Sequence, residues 1–529
     1  MKPLFRILVM ICAVASCCAC GEDALVRRAN KEYLEPVRPG TEGRNPFWNG
    51  FAKRFIYAPA FDFPELPEAA AYLFTLTAED GSVLSFRAKH PTDALSPVWT
   101  KVPVGDAVLT VDALDGKGRV IDRVGERSFF RDYPFPGHYP GPARSYRDAA
   151  VMGALYVHML PEIQSWRKST LPDMRYPHNT YPCKIIGATI RVECLVARLM
   201  PDRREEALEI ARNAAQFLID QSRPEGDPLA FFPPTYYLDL EASKRDWNQG
   251  KTMTLEAASA GQAFLDLYDV TGESELLERA VEIGRTYVRL QREDGSLPIK
   301  VDFVTGEPVN GVSAMLHPLL RYFGRLCSYG YTEFVSPSAK AEDWMNSVAV
   351  EAFDMTGQFE DVNVKGLAPY QNLTNCTAAP YASWLLKKED CGADDLRNAI
   401  DLIRLSEDQF VHWDYKKKTR DGFTWRYAPC VHEQYHYEMP VDNSACNVAN
   451  AWLDLYEVTG DRLALAKAKA MIDNITRMQN PLNGCIPTTW EWRDARKDRK
   501  RTWWVNCTFG SLQILLRADA MDLQAIADK

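Results

Sequence analysis

Beyond residue 20 the 529-residue chain has no apolar run long enough to cross a bilayer as a helix, which takes about 20 residues. It also has no basic excess. Its 62 Lys and Arg stand against 71 Asp and Glu, for a net charge of −9, so no footprint for nucleic acid is present. Of 13 cysteines, Cys12, Cys17, Cys18 and Cys20 fall in the first segment. The rest are odd in number and contain no Cys-x-x-Cys, so neither a disulfide framework nor a zinc ribbon is indicated. No metal site is assigned and no cofactor is implied. What is present is an ordinary globular composition, 46% hydrophobic and 25% charged, over a length that suggests roughly two or three domains. The 13 Trp and 23 Tyr suit stacking on sugar rings, and equally suit a large aromatic core.

Residues 1–20 read as a lipoprotein signal peptide. Lys2 and Arg6 supply positive charge, and Ile7 to Ala15 supply an apolar stretch too short to span a bilayer. The stretch ends in Val14-Ala15-Ser16-Cys17-Cys18-Ala19-Cys20, which resembles a bacterial lipobox. Cys17 fits best as the lipidated residue, with Cys20 as the alternative. The expected location is the bacterial periplasm or the outer-membrane surface, with the membrane as partner through the lipid anchor.

Residues 21–44 are polar and punctuated by Pro and Gly, as in a tether. From 45 to 135 the period is β. Ala71–Thr77 and Val83–Phe86 flank an Asp80-Gly81 turn, and Val108–Leu114 is followed by Asp115-Gly116 and Val120-Ile121. These read as hairpins of a small β-sandwich. Residues 136–145 carry Pro140 and Pro142 and read as a linker.

From 146 to 529 the period becomes helical. Segments are predicted at 146–166, 185–200, 204–222, 253–270, 274–291, 310–329, 336–352, 374–388, 391–411, 444–458, 462–479 and 506–522. Ala263-Phe264-Leu265-Asp266-Leu267-Tyr268-Asp269-Val270-Thr271-Gly272 repeats as Ala451-Trp452-Leu453-Asp454-Leu455-Tyr456-Glu457-Val458-Thr459-Gly460. The register extends to Gln291 and Gln479. Repeated helical hairpins must stack to bury their apolar faces. Twelve helices make six hairpins, so the predicted fold is mainly α, an (α/α)6 toroid. Turns within hairpins are short. The loops between them, 167–184, 223–252, 292–309, 353–373, 412–443 and 480–505, are long and should share one end of the toroid, where long loops carry function. Small residues at the starts of the even helices, such as Cys376, Cys446 and Cys507, place those helices on the inner ring.

Glycoside hydrolysis needs two carboxyl groups facing one bond. Glu360, Asp361, Glu433 and Glu491 lie among aromatics and amides, surroundings that raise a carboxyl pKa. Glu433 with Glu360 or Asp361 is the first choice of catalytic pair. A helix cap or an arginine partner is the plain alternative for such acids. Candidate substrate-binding residues are His178, Tyr181, Lys251, Asn372, Tyr435, His436 and Trp503. Lys300 and Arg501 are further cations for a sugar carboxylate. His432 and His436 could share a metal if that stretch were helical, but Pro440 lies close by.

The Leu-Asp-Leu-Tyr-x-Val-Thr-Gly hairpins resemble the six-hairpin glycosidase superfamily over roughly residues 146–522. Gln358-Phe359-Glu360-Asp361, Tyr370-x-Asn372 and Glu433-Gln434-Tyr435 resemble glycoside hydrolase family 154. That resemblance implies an exo-acting enzyme that removes a terminal uronic acid, as a β-glucuronidase does, from an acidic glycan. The N-terminal β region departs from unsaturated-uronyl hydrolases. The rival readings are a polysaccharide lyase acting on uronic-acid glycans and a non-catalytic surface glycan-binding lipoprotein. A sugar epimerase shares the toroid but not the export signal.

Overall fold

The computed structural model describes residues 24–38, 47–238, 247–357, 368–418, 424–490 and 503–527. Signal residues 1–20 with Cys17, the Glu360-Asp361 pair, Glu491 and Arg501 lie outside the described residues.

Every predicted helical segment contains a helix. In chain order these are α2 (Tyr146–His158), with the short α3 (Pro161–Gln164) behind it, then α4 (Gly187–Leu199), α5 (Arg204–Asp220), α6 (Glu256–Thr271), α7 (Ser274–Leu290), α8 (His317–Ser328), α9 (Val335–Trp344), α10 (Asn375–Leu386), α11 (Ala393–Phe410), α12 (Asp442–Thr459), α13 (Arg462–Met478) and α14 (Val505–Ala520). Preceding them, residues 24–32 form α1. α4 pairs with α5, α6 with α7, α8 with α9, α10 with α11 and α12 with α13, while α2 packs on α14. The even helices also contact one another in sequence, α4 to α6 to α8 to α10 to α12 to α14, and α14 returns to α4. This closes an inner ring with the odd helices and α2 outside it, an α/α toroid.

The internal repeat is visible in side chains. Gly272 and Gly460 end α6 and α12 in left-handed conformation, with φ of 74° and 71°, which glycine adopts without steric cost. The amide of Gln291 donates to Gly295 O (3.0 Å) and Pro337 O (2.9 Å), and that of Gln479 donates to Gly484 O (2.9 Å) and Ala149 O (2.8 Å). Each ties the turn after an outer helix to the next outer helix.

Two helix starts differ from the sequence prediction by more than two residues. α8 begins at His317 rather than 310, because Ile299 N donates to Val312 O and Ala314 N to Leu297 O, holding 312–314 as extended chain. α6 begins at Glu256, because β6 (Lys251–Met253) pairs with β7 (Lys300–Asp302).

Small residues permit the tight inner ring. A Cβ on Gly261 of α6 would run into the Tyr322 ring of α8, and that ring is itself fixed by its hydroxyl donating to Ala280 O. Gly261→Ala is therefore expected to lower stability by about 1–3 kcal/mol, the usual cost of overpacking, seen as a lower urea midpoint.

The N-terminal region differs more. One five-stranded sheet is described where a sandwich was predicted, in the order β1 (Arg54–Phe55), β5 (Val120–Arg131), β4 (Gly105–Leu114), β2 (Ala71–Ala78), β3 (Val83–Ala88). β1 runs parallel to β5, and the other pairs are antiparallel. Tyr72, Phe74 and Leu76 of β2 and Leu109 and Val111 of β4 alternate inward, as period-two patterning requires. Their buried face joins the same core as the toroid helices, so no second sheet is needed to cover it. The predicted tether is also corrected in part. Ala29, Tyr33 and Val37 are buried, so the stretch 24–38 docks on the fold and is not a free spacer. Its Arg27, Arg28 and Lys31 hide that apolar stripe in composition.

Docking uses a buried ionic network. Lys467 Nζ on α13 lies 2.7 Å from Glu407 Oε2 on α11 and 3.2 Å from Glu32 Oε1 on α1. The Tyr33 and Tyr57 hydroxyls and the Trp413 indole also donate to Glu407, at 2.7, 3.0 and 3.1 Å. Asp408 next to it accepts from the backbone N–H of Ile56 and Tyr57.

Candidate active site

Five neighbouring pairs of long loops are joined. Loop one touches loop two where Tyr237 N donates to Thr180 O. Loop two touches loop three through the β6–β7 pair. Loop four touches loop five where the Asn372 amide donates to Gln434 Oε1 (2.7 Å) and His436 N donates to Asn372 Oδ1 (2.9 Å). Val441 bridges Thr489 between loops five and six, and the Tyr176 hydroxyl on loop one donates to Trp503 O on loop six (3.0 Å). They thus gather over the N-terminal ends of the inner helices, at the end of the toroid the loop lengths indicated.

Loop five contributes β11 (Cys430–Gln434), which pairs with β12 (Tyr437–Pro440) and with β8 (Val411–His412). Side chains alternate along a strand. His432 and Gln434 face a cavity on the sheet side of β11. Glu433 faces the other way, where its charge is felt by Cys376, Asp442 and Cys507, at the starts of α10, α12 and α14. The strand is clamped there. Thr374 Oγ1 donates to Glu433 O (2.8 Å), and the Asn375 amide donates to both His432 O (2.6 Å) and Glu433 O (3.1 Å). Glu433 therefore stands over three helix N-termini at the toroid mouth, a position that favours a carboxylate.

Asp442 lies beside it as the first residue of α12. It is fully buried and accepts from Ser511 Oγ (3.0 Å) and Asn443 N (2.8 Å). Burial pushes its carboxyl well above the ordinary range, outweighing those bonds, and the Glu433 charge adds to the rise. A raised folded-state pKa means its contribution to stability is complete below the unfolded value near 3.9 and is lost as pH climbs through the folded value. Asp442→Asn keeps the shape without the ionisation. It is expected to stabilise the protein at pH 8 relative to wild type and to have little effect at pH 4, checked by thermal unfolding at both. The thiols alongside behave as small buried groups: burial pushes Cys376 up to about 12 and Cys507 well above its usual value. They are not thiolates, in keeping with the inner-ring packing role read from the sequence.

Loops one and six supply an aromatic wall. The His178 ring stacks on Trp504 at 3.9 Å, Tyr181 stacks on it at 5.7 Å, and Lys184 Nζ lies 5.5 Å from its centroid. Tyr236 follows Tyr181 at 6.1 Å. Such flat faces suit the C–H face of a sugar, and Lys184 adds a cation at the same level.

The predicted site residues therefore divide. Glu433 shares Cys376 and Cys507 as neighbours with Lys184, which lies beside the stack of His178, Trp504 and Tyr181. Trp503 points inward instead, against Tyr156 and Tyr176, with its indole donating to Thr508 Oγ1 (2.9 Å). Trp504, one residue on, presents the ring. Asn372 is buried as the tie between loops four and five. Lys251 lines a groove with Asn248 and Tyr236, the outermost ring of that wall, and Lys300 is buried against Asn248 Oδ1 (2.7 Å). Tyr435 and His436 line the cavity on the sheet side of β11, about 860 Å³ in volume. There the Tyr435 hydroxyl donates to Gln409 Oε1 (2.7 Å), Arg54 pairs with Asp132 (2.6 Å), and His412 and His432 lie 4.1 Å apart. Burial, helped by Arg54, pushes His412 down to about 4. Because 430–434 is a strand, His432 and His436 are not one helical turn apart on a shared face. Among the described residues no group of three or more His, Cys, Asp or Glu is placed to hold a metal ion. Lys184 and Trp504 were missed in the sequence. Their signal was position alone, at the loop ends next to inner helices.

No family model matches the chain, and no curated protein matches it. Solved structures do. A D-mannose isomerase is similar over 72% of this chain and 99% of its own, at 10% identity and a TM-score of 0.50. A cellobiose 2-epimerase from Spirochaeta thermophila is similar over 73% of this chain and 100% of its own, at 12% identity and a TM-score of 0.48. A family 76 glycoside hydrolase from a bovine Bacteroides thetaiotaomicron strain is similar over 85% of this chain and 93% of its own, at 9% identity and a TM-score of 0.47. At such identity the likeness to the isomerase is one of fold, and it agrees with the ring of paired helices described above.

Proposed function

We propose that the chain is a carbohydrate-active enzyme, an exo-acting glycoside hydrolase that removes a terminal uronic acid from an acidic glycan. The observation that carries this reading is the placement of Glu433 at the mouth of the toroid, beside the Trp504 wall and Lys184. Glu433 serves as one carboxyl of the pair. Glu360 or Asp361 serves as the other, since these acids lie among aromatics and amides in loop four. Their loop leads off from Gly357, whose N–H donates to Asn372 O (2.6 Å), and Asn372 is bonded to the strand that carries Glu433. One group protonates the leaving oxygen, and the other activates water or attacks carbon. His178, Tyr181 and Trp504 receive the ring.

The lipobox-like Cys17 supports export and anchoring by lipid. Among the described residues no helix is long and apolar enough to cross a membrane.

The test is a panel of aryl glycosides offered to the mature protein. Release of the aryl alcohol from the β-glucuronide, with free glucuronic acid as co-product, supports the reading. Interconversion of free sugars without bond cleavage would replace it with an isomerase or epimerase, and unsaturated products absorbing in the ultraviolet would replace it with a lyase.

A further inference from the structure

Below the mouth, the axis of the ring carries a line of cations. Arg191 on α4 pairs with Asp266 (2.6 Å) and lies over the Phe509 ring. Arg325 on α8 holds Asp266 and Asp269, Arg517 on α14 holds Asp454 and Glu457, and Lys387 lies 3.3 Å from Asp454. Arg321 on α8 differs. Among the described residues its guanidinium makes no hydrogen bond and no ion pair, and the residue is exposed. The charges that act on it are Arg191 of α4 and Asp454 of α12. α4, α8 and α12 are alternate members of the ring, so side chains from all three meet only across its axis. The space Arg321 faces is therefore axial, inside the toroid.

His317 stands one helical turn above Arg321 on the same face of α8. Its Nδ1 is buried without a hydrogen-bond partner. Burial, with help from Arg321, pushes its pKa down to about 3, so it is a neutral donor or acceptor at physiological pH. Arg321 stands four residues into α8, about 6 Å below its N-terminal end at 1.5 Å per residue, and Arg191 stands four residues into α4, which a π-helical turn at Pro182–Ile186 precedes. Glu433 stands over the N-terminal ends of α10, α12 and α14, at the same end of the ring. A sugar ring held at Glu433 would extend down the axis toward the two guanidinium groups.

The geometry points to His317 and Arg321 as the subsite for the anionic substituent of the terminal sugar, with the Arg321 fork on the carboxylate and His317 on a neighbouring ring oxygen. This rests on the reading of an acidic-sugar hydrolase given above. A fork of N–H donors beside a second guanidinium, with its nearest acid already held by Arg517 and Lys387, is suited to a planar carboxylate.

Calorimetry with the full chain tests the assignment, using D-glucuronate, D-glucose and inorganic phosphate as probes. Wild type is expected to bind glucuronate in preference to both others. Arg321→Gln is expected to weaken glucuronate binding at least roughly tenfold, with Arg321→Lys in between and both variants melting near the wild type. Unchanged glucuronate binding in Arg321→Gln, or no glucuronate binding by wild type, would overturn the assignment. So would phosphate bound as tightly as glucuronate and lost alike in the variant, which would mark a plain anion site. The catalytic reading fails separately. Arg321-dependent glucuronate binding without turnover of any aryl glycoside leaves the subsite standing and removes the hydrolase.

Discussion

Glu433→Gln is expected to lower kcat on an aryl β-glucuronide by at least about a thousandfold while leaving the melting temperature close to wild type. General acid–base catalysis contributes about 10²–10⁴ in rate, and a carboxyl that also acts in the second half of the reaction is needed twice. The clamp on β11 runs through main-chain atoms, Thr374 and Asn375 to the carbonyls of 432 and 433, so the amide variant keeps the strand in place. A loss of activity with the fold intact therefore reports chemistry. If kcat falls less than tenfold, the acid that matters lies elsewhere, and the 860 Å³ cavity on the sheet side of β11 becomes the first place to look.

Lys467→Met is expected to cost about 3–5 kcal/mol, the largest stability effect we foresee. The lysine is almost wholly buried between Glu407 and Glu32. Burial alone would lower its pKa, but the two carboxylates more than offset this and raise it, so it is charged in the fold. Removing one member of a buried ion pair leaves an uncompensated charge, which costs far more than the pair was worth. Glu407 cannot turn to water, because Tyr33, Tyr57 and Trp413 already surround it. Chemical denaturation gives the loss directly. The double variant Lys467→Met/Glu407→Gln should recover most of it. If the double variant is no better than the single one, the cost is packing rather than charge. Because the network joins α1, the sheet and the outer helices α11 and α13, limited proteolysis of the single variant should release the N-terminal region first.

The sequence was most informative where geometry is local. The helical period and the two Thr-Gly endings locate the hairpins, because a glycine at a left-handed C-cap is a requirement of the backbone itself. The loop lengths locate the working end, since short turns fix which ends of the helices are joined. Long-range facts were less accessible. Alternation along β2 and β4 says that one face is buried but not what covers it, and the cover includes a stretch, 24–38, whose charged residues mask Ala29, Tyr33 and Val37. At the site, one residue decides a side chain's destination. Glu433 and Gln434 go to opposite sides of β11, and Trp503 and Trp504 to core and mouth, so a motif read as a cluster is divided by the pleat and the turn. Arg321 gave no sign at all, because His317, Arg321 and Arg325 spaced four apart look like any solvated helix face until the ring closes around them.

A crystal structure of the Glu433→Gln variant soaked with a glucuronic-acid-terminated oligosaccharide would show where the terminal sugar binds. The terminal ring is expected against Trp504, with its glycosidic oxygen within hydrogen-bond reach of residue 433. A ring bound instead between the sheet and β11, beside Tyr435 and His412, would contradict this.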